Sequence, residues 1–505
     1  MKMKYILLCL SFFSIVSCYD DLGNYNYKEI NEIKVVGGIE KEYSAYTMVS
    51  TLKINPKLSF TQDSLPVDRF EYTWYAGSTD FNKAKLIKLS NSLNLDYFIK
   101  LPKDSYILEL RVKDKETNVE WSTQTNLSVT TLFTNGWLML GEKDGYVALD
   151  MVSIPGGGDT IVTTDLLKNS ELPPLKGPRK MISINRPDNP AWPQVNGCFM
   201  MTDDGTYELD RVTMASDVSK NIAYNIYDPN VSSKFAGSDM IQNSAYARIL
   251  IGDNTLYVNG SLTSSGAFGN PANKYDKYGA TFKVWPEIMW SINSWGSFSY
   301  NQMVYDMDAK RFVKFRNSSS FCTILPDNAG DPFTWETGND MVAVFNSKYV
   351  SQGYKTSYAI MKSPDKHYYL YSFVPGTKDG PKKNNMFDIT SLPGIDRAKM
   401  FVFSGKYPYM LYAVGSELHA CEFLVSGVTH KKLDDFDKDE ITLLHFDTYK
   451  ESTQDVFYVG TYNTTTGGMV QKYQLKDDPN DIIIEKIGSK WEHLCKVTSM
   501  CWKWF

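Results

Sequence analysis

Seven times after residue 135, a short apolar strand, a tight polar turn and a second apolar strand follow one another. Examples are the strands 137–141 and 146–149, and the strands 198–201 and 207–209. The turn centres lie near residues 144, 204, 254, 308, 365, 416 and 465. A spacing of roughly fifty residues is that of a four-stranded propeller blade of the kelch size. The pattern predicts an all-β fold with a β-propeller over residues 135–505, seven blades being favoured over six or eight.

Other architectures fit residues 135–505 less well. Long helical periodicity is missing there, which argues against an α/β fold. A single open sandwich of this length would leave long sheet edges, which radial repetition avoids. The C-terminal stretch from Lys496 is strand-like to its final residue, Phe505. We expect this strand to pair in the blade that contains Trp137 and to close the ring.

Residues 33–132 show a different pattern of short strands. The clearest strand has Tyr106, Leu108, Leu110 and Val112 at alternate positions, as expected for a strand with one buried face. Trp74 is placed to fill the space between two sheets, and we favour this packing role over a ligand-binding role. The region is predicted to be a β-sandwich. The order of Tyr72, Trp74 and the strand 105–114 resembles a PKD or immunoglobulin-like domain.

The N-terminus is first basic and then apolar. Lys2 and Lys4 precede the apolar run 5–16, and Cys18 follows it. The run is too short to span a bilayer, so residues 1–17 are predicted to be a secretory signal peptide. The alternatives are a transmembrane anchor and a cytosolic chain with an apolar start.

Residues 15–18 resemble a bacterial lipobox. The resemblance implies cleavage before Cys18, a diacylglycerol on its sulfur and acylation of the new N-terminus, which together form a stable membrane tether. Asp20 and Asp21 are similar to the surface-export signal of Bacteroidetes lipoproteins. We therefore expect residues 18–32 to be a lipidated tether, and the protein to be anchored to the outer membrane and to face the cell exterior.

Charge and cysteine content exclude some classes of function. The chain has 53 basic and 58 acidic residues and a net charge of −5, which argues against a nucleic-acid partner. Seven cysteines become five once Cys9 is removed with the signal peptide and Cys18 is lipidated. An odd number with no CxxC motif argues against a complete disulfide framework, a thiol redox site and a zinc knuckle. We expect these cysteines to be small buried apolar side chains.

The sequence has no recognisable reactive centre. Its five histidines lack a metal-binding spacing such as HExxH, and neither a GxSxG elbow nor a phosphate-binding loop occurs. Carboxylates alternate from Asp434 to Glu440 as in calcium loops, but the glycine that bends such loops is missing, so a solvated connection is favoured. We therefore predict no catalytic residue, no metal ligand and no cofactor.

The stretch 285–300 is the best candidate for ligand binding. Flat aromatic rings mixed with Ser, Asn and Gly can stack on sugars or hold peptide side chains, while the polar neighbours set the orientation. The alternative, which we favour, is that the rings pack between blades. The aromatic candidates are Trp285, Trp290, Trp295 and Tyr300.

The order of lipobox, sandwich and β-repeat region resembles the PKD-like lipoproteins of Bacteroidetes, which are typically encoded beside SusC/SusD-like importers. The resemblance implies a non-enzymatic accessory subunit of a SusCD-like TonB-dependent importer. Its partners would be the SusC/SusD-like subunits, other surface lipoproteins and an oligosaccharide or oligopeptide, and it would contact the membrane through its lipid. The alternatives are a propeller hydrolase or lyase that trims glycan or peptide before nutrient uptake, and a purely architectural subunit.

Overall fold

The structure is a computed structural model that describes residues 31–504 except 63–66, 84, 155–159, 185–196, 245–246, 260–266, 291–300, 317–319, 352, 448–454, 477, 479–480 and 489. The chain divides into two compact units, Met1–Thr130 and Thr131–Phe505. Strands dominate both units, and no described residue is in an α-helix. The predicted all-β fold is confirmed.

In the part of the first unit that the structure describes, nine strands form three sheets. The largest sheet has the order β2-β9-β8-β5-β6, and the pairs β1-β4 and β3-β7 form the two small sheets. Two short 3-10 turns, Val67–Arg69 and Phe81–Lys83, separate some of the strands. The strands are β1 (Ile33–Gly37), β2 (Glu42–Tyr46), β3 (Thr51–Ile54), β4 (Lys57–Phe60), β5 (Phe70–Ser78), β6 (Leu86–Ser90), β7 (Leu95–Phe98), β8 (Asp104–Asp114) and β9 (Glu120–Thr130).

One hydrophobic core joins the three sheets of this unit. Trp74 lies at its centre, fully buried, and its indole Nε1 donates to the carbonyl of Leu93 at 3.0 Å. The alternate residues of β8 named above are all buried, as predicted. The hydroxyl of Tyr106 donates to the carbonyl of Pro102 at 2.9 Å, a contact that resembles the tyrosine corner of immunoglobulin-like sandwiches. Trp74 is thus a core residue.

Seven sheets follow one another in the described part of the second unit, and each is built mainly from neighbouring strands. Three 3-10 turns, Leu166–Asn169, Val218–Lys220 and Ile222–Asn225, lie between them. The first three sheets contain β10 (Gly136–Lys143), β11 (Tyr146–Ser153) and β12 (Ile161–Thr163); β13 (Pro178–Ile184), β14 (Gly197–Thr202) and β15 (Gly205–Leu209); and β16 (Gly237–Ser244), β17 (Ala247–Gly252) and β18 (Thr255–Asn259).

The remaining sheets continue the same order along the chain. They contain β19 (Asn301–Asp306), β20 (Arg311–Arg316) and β21 (Thr323–Ile324); β22 (Asp340–Ser351), β23 (Tyr354–Lys362), β24 (Tyr368–Thr377) and β25 (Gly380–Asp388); β26 (Met400–Phe403), β27 (Tyr409–Val414), β28 (Glu417–Leu424) and β29 (Gly427–Asp435); and β30 (Glu440–Phe446), β31 (Val456–Asn463), β32 (Gly467–Leu475), β33 (Ile484–Lys486) and β34 (Trp491–Leu494). The last strand is β35 (Lys496–Lys503).

The predicted hairpins are present in all seven sheets. They are the antiparallel pairs β10-β11, β14-β15, β17-β18, β19-β20, β23-β24, β27-β28 and β31-β32. Tight turns that need positive φ angles connect several of them, as Asp144 (φ 53°) and Gly145 (φ 80°) do between β10 and β11. Asp, Asn and Gly tolerate these angles best, which explains why the turns were recognisable in the sequence.

The last strand of the chain belongs to the first sheet of the second unit. β35 pairs antiparallel with β10, with Trp502 opposite Trp137 and Met500 opposite Met139. It also contacts the second sheet, where the amide of Met181 donates to Ser499 Oγ at 3.0 Å. The predicted pairing of the C-terminal strand is confirmed.

Candidate ligand-binding cavity

A cavity of about 830 Å³ lies among the strands of the second unit. Its lining comes from β13, β16, the segment 286–290, β22, β26, β30 and β35. The segment 286–290 pairs with the fourth sheet through an antiparallel bridge between Met289 and Met303. Each of the seven sheets therefore contributes one element to this space, the central cavity.

A fixed ion pair lies in one wall of the central cavity. Lys180 Nζ on β13 donates to Asp239 Oδ1 on β16 at 2.7 Å. Asp239 is nearly buried and also accepts from two backbone amides, that of Met240 at 3.0 Å and that of Ile288 at 2.9 Å. Asp239 therefore holds the lysine in place and connects the third and fourth sheets.

Glu287 is the second carboxyl group in this wall. It is half-buried, and its Oε2 accepts a long hydrogen bond from Trp285 Nε1 at 3.4 Å. Burial is the main reason that the pKa of Glu287 is raised, and nearby Asp239 raises it further, whereas Lys180 partly opposes both. Two carboxyl groups thus lie near one lysine, and Asp239 is the one that forms the ion pair with it.

The aromatic part of the lining includes Trp290, whose side chain is half-buried. The backbone amide of Trp290 donates to Asn346 Oδ1 at 3.1 Å, and Asn346 Nδ2 donates to the carbonyl of Ile288 at 2.8 Å. These two bonds fix residues 288–290 against β22. Phe345 and Phe401 add further rings to the lining.

His445 on β30 also lines the central cavity. Its ring lies edge to face with Trp137, with ring centroids 5.5 Å apart. Burial lowers the pKa of His445 to about 4 because an imidazolium ion would be poorly solvated there, although Asp447 opposes the shift. His445 is therefore a neutral group near neutral pH.

The four aromatic residues predicted from the sequence do not share one site in the part that the structure describes. Trp290 lines the central cavity, whereas Trp285 is half-buried against the core between the fourth and fifth sheets. Trp295 and Tyr300 lie outside the described residues, as does the predicted lipidation site Cys18. Of the two rings that can be placed, only that of Trp290 is in the lining of the central cavity.

The sequence analysis did not predict the three charged residues in the wall of the central cavity. Their spacing along the chain is nevertheless regular. Lys180, Asp239 and Glu287 are 59 and 48 residues apart, or about one repeat. In a radial arrangement, residues one repeat apart on the inner elements face the same central space. The spacing places them on successive repeats, but the contact between Lys180 and Asp239 follows only from how the sheets pack.

A second polar cluster lies on the sixth sheet. His419 Nδ1 and His430 Nε2 are 3.0 Å apart, and His419 Nε2 is 3.2 Å from Glu417 Oε2. The three groups form a line in which His419 uses both ring nitrogens, so they do not converge on one point. Within the described ranges, no three His, Cys, Asp or Glu side chains form a group that could hold a metal ion.

The five cysteines in the described part of the chain are unpaired thiols. Cys198, Cys322, Cys421 and Cys495 are buried as predicted, whereas Cys501 is only half-buried. Burial raises the pKa of both Cys322 and Cys421 to about 12, so neither is a ready nucleophile.

One region of the protein matches a known family. Residues 18–177, about a third of the chain, match the model of the PKD-like family. A comparison with curated proteins found no match. Across the described ranges, no helix has the length and hydropathy needed to cross a bilayer.

Several solved structures are similar in fold at low sequence identity. A quinonprotein alcohol dehydrogenase-like protein from Bacteroides thetaiotaomicron has a TM-score of 0.47 at 11% identity, covering 91% of this chain and 97% of its own. A candidate 6-phosphogluconolactonase from Bacteroides uniformis has a TM-score of 0.43 at 10% identity, covering 73% and 99%. The extracellular domain of a candidate one-component system from B. thetaiotaomicron has a TM-score of 0.37 at 10% identity, covering 92% and 64%. These similarities leave the function of the chain unassigned.

Proposed function

We propose that this chain is a non-enzymatic, surface-exposed outer-membrane lipoprotein that binds an oligosaccharide or oligopeptide and serves a SusCD-like TonB-dependent importer. The observation that carries the binding role is the central cavity. Its volume of about 830 Å³ lies within the range of roughly 300–1,000 Å³ that is usual for small-molecule sites. Its lining combines aromatic rings with a few fixed polar groups, as such sites generally do.

We also propose that the second unit is a β-propeller with seven blades. The support is that seven sheets follow in chain order and each contributes one element to the central cavity. The last strand, β35, pairs with β10 in the first sheet. Such a pairing between the two ends of the unit would close the ring of blades.

The lining suggests how a ligand would be held. Trp290, Phe345 and Phe401 offer flat apolar surfaces on which a sugar ring or an apolar side chain can pack. Lys180, Asp239 and Glu287 lie in one part of the wall, where they can accept or donate hydrogen bonds and set the orientation of the bound molecule.

The location and the partners in this proposal depend on the sequence. Lys2, Lys4 and the apolar run before Cys18 support export and lipidation, and Asp20 and Asp21 support surface display. The PKD-like match over residues 18–177 is compatible with a module that presents the second unit to a transporter.

Purification from native membranes would test the location and the partners. The lipidated protein should leave the outer membrane together with a SusC/SusD-like pair and should be accessible to surface labelling on whole cells. A Cys18→Ser variant should lose the lipid and the membrane fraction while remaining folded. An unacylated wild-type protein in the cytosol would contradict the proposal.

Ligand binding needs a separate test. Trp290→Ala should weaken binding of an oligosaccharide or oligopeptide that co-purifies with the protein or emerges from a screen. Phe81→Ala is a matched control, because Phe81 is 91% exposed in the first unit. Equal affinities for wild-type protein and Trp290→Ala would exclude the central cavity as the binding site.

One observation favours a second candidate, a propeller hydrolase or lyase. Glu287 and Asp239 are two carboxyl groups in different environments, and the raised pKa of Glu287 is a property of many general acids. This candidate predicts turnover of a glycan or peptide that disappears in both Glu287→Gln and Asp239→Asn. A purely architectural subunit would show neither turnover nor ligand but would still form a stable importer complex.

A further inference from the structure

The positive charges in the lining of the central cavity already have partners. Arg179 Nε donates to Asp203 Oδ1 at 2.6 Å, and Lys180 Nζ donates to Asp239 Oδ1 at 2.7 Å. Asp239 in turn is fixed by the backbone amide bonds described above. An anionic ligand would therefore have to compete with carboxylates that are already in place.

The carboxyl group of Glu287 is less fully paired than these groups. Among the described residues, its carboxyl group forms no ion pair; it accepts the long hydrogen bond from Trp285 and a further one from the backbone of Val344. Burial raises its pKa more than nearby Lys180 lowers it, and Lys180 is itself ion-paired with Asp239, so the carboxyl group is compensated only in part. A positively charged group that entered the cavity would complete the compensation.

The rest of the lining suits a cation as well. The rings of Trp290, Phe345 and Phe401 border the same space, and aromatic faces attract ammonium groups by the cation-π effect. His445, which also borders the space, is neutral near pH 7 and so does not repel a cation. A carboxylate combined with aromatic faces is a common way to recognise an ammonium group.

We infer that the central cavity selects ligands that carry a free ammonium group, which binds beside the carboxylate of Glu287 while the body of the ligand packs on Trp290. The ammonium group donates hydrogen bonds to this carboxylate. The inference rests on the proposed function, since it takes the central cavity to be the ligand site. An amino sugar oligomer and a peptide with a free amine share this chemistry.

Matched pairs of probes would test the inference by isothermal titration calorimetry with the purified full-length protein. The first pair is a glucosamine trimer and its N-acetylated counterpart, and the second is the tripeptide glycyl-phenylalanyl-glycine and its N-acetylated form. In at least one pair, the free amine should bind about tenfold more tightly than the acetylated form. The pair in which this occurs identifies the source of the amine as sugar or peptide.

A variant of Glu287 and a matched control variant test whether the preference for a free amine depends on Glu287. Glu287→Gln should weaken binding of the free amine by about tenfold and should leave binding of the acetylated probe nearly unchanged. Glu142→Gln is the matched control, because Glu142 is exposed on β10 outside the cavity. An unchanged melting temperature of Glu287→Gln would show that the fold is intact.

The negative results of these experiments distinguish the ammonium inference from the proposed binding site. If acetylated and free probes bind equally, or if Glu287→Gln retains the preference, the ammonium inference is wrong while binding in the cavity stands. If neither free amine binds at millimolar concentrations but another oligomer does and is weakened by Trp290→Ala, the inference is again wrong and the proposed function survives. If Trp290→Ala has no effect on any ligand that binds, the proposed site itself is wrong.

Discussion

Trp137 on β10 and Trp502 on β35 pack edge to face, with ring centroids 5.0 Å apart and ring planes at 77°. Trp137 also contacts Tyr458 of the seventh sheet, at 5.0 Å between ring centroids. Residues near the start and the end of the second unit are thereby joined to each other and to the neighbouring sheet. The stability of this unit should depend on that contact, because edge-to-face pairs contribute beyond their buried area.

Removing the last strand should prevent the second unit from folding. Deleting residues 495–505 leaves β10 without a partner on one side and exposes the core around Trp137. Trp137→Ala, a milder change at a buried position, should cost about 3–5 kcal/mol in the free energy of unfolding. Limited proteolysis and urea unfolding would measure both effects. A truncated chain that melted like the full-length protein would show that β35 is dispensable, and Phe81→Ala provides an exposed aromatic control.

Asp150, in the interior of β11, should be sensitive to substitution. It is nearly buried on β11, where Oδ2 accepts from the amide of Cys495 at 2.7 Å and Oδ1 from the amide of Asp165 at 2.9 Å. An asparagine offers one oxygen and turns its NH₂ group toward the other amide. Asp150→Asn should therefore lower the free energy of unfolding by about 1–3 kcal/mol. Asp144→Asn, at an exposed turn with φ of 53°, should have little effect in the same urea titration.

The hairpins were predictable because their signal is local. In β14 and β15, Met200 lies opposite Tyr207, and the turn at Asp204 and Gly205 marks the reversal in the sequence itself. The core position of Trp74 was predictable for a similar reason, since a large ring in a short strand has few other places to go.

The inner elements carried no such local signal. β13 contains Arg179, Lys180 and Ser183 beside apolar residues because it borders the central cavity, so neither clean alternation nor an apolar run appears. The contact of Lys180 with Asp239 depends on how two successive sheets pack, which a spacing of 59 residues alone does not determine. Inner strands and cavity chemistry therefore required the structure.

Loss of Arg69 should destabilise the first unit most strongly at neutral pH. The Arg69 guanidinium donates from Nε to Asp114 Oδ1 at 2.9 Å and from Nη2 to Oδ2 at 2.5 Å, and this contact is the main reason that the pKa of the buried Asp114 lies far below its usual range. A lowered carboxyl pKa stabilises the fold above the unfolded-state pKa, and the effect is lost as pH falls through the folded-state pKa. Arg69→Met leaves a buried carboxylate uncompensated.

Urea unfolding of wild-type protein and Arg69→Met, followed through tryptophan fluorescence, would test this relationship. The difference between the two proteins should be large near neutral pH and should shrink as the pH falls below about 4, the ordinary pKa of an aspartic acid. Lys53→Met removes an exposed pair with Asp96 and should change little at any pH. A constant difference across the pH range would contradict the assignment to Asp114 ionisation.

His445 should make the stability of the second unit depend on pH in a window just above the one set by Asp114. Its pKa is lowered by burial to about 4 in the folded chain, against about 6.5 when unfolded. Between these values the unfolded chain binds a proton that the folded chain does not, so stability falls as the pH decreases through this window, by roughly 3 kcal/mol at most.

Replacing the histidine by a residue that does not titrate separates this contribution from those of other groups. His445→Asn should remove the extra loss of stability between about pH 6.5 and 4, so that its free energy of unfolding changes less than that of wild-type protein over the same interval. His493→Asn is the matched control: His493 is exposed and has a φ of 60°, an angle that asparagine accepts. Equal pH slopes for wild-type protein and His445→Asn would mean that the ring already binds its proton in the folded state, through water or a ligand that reaches it in the central cavity.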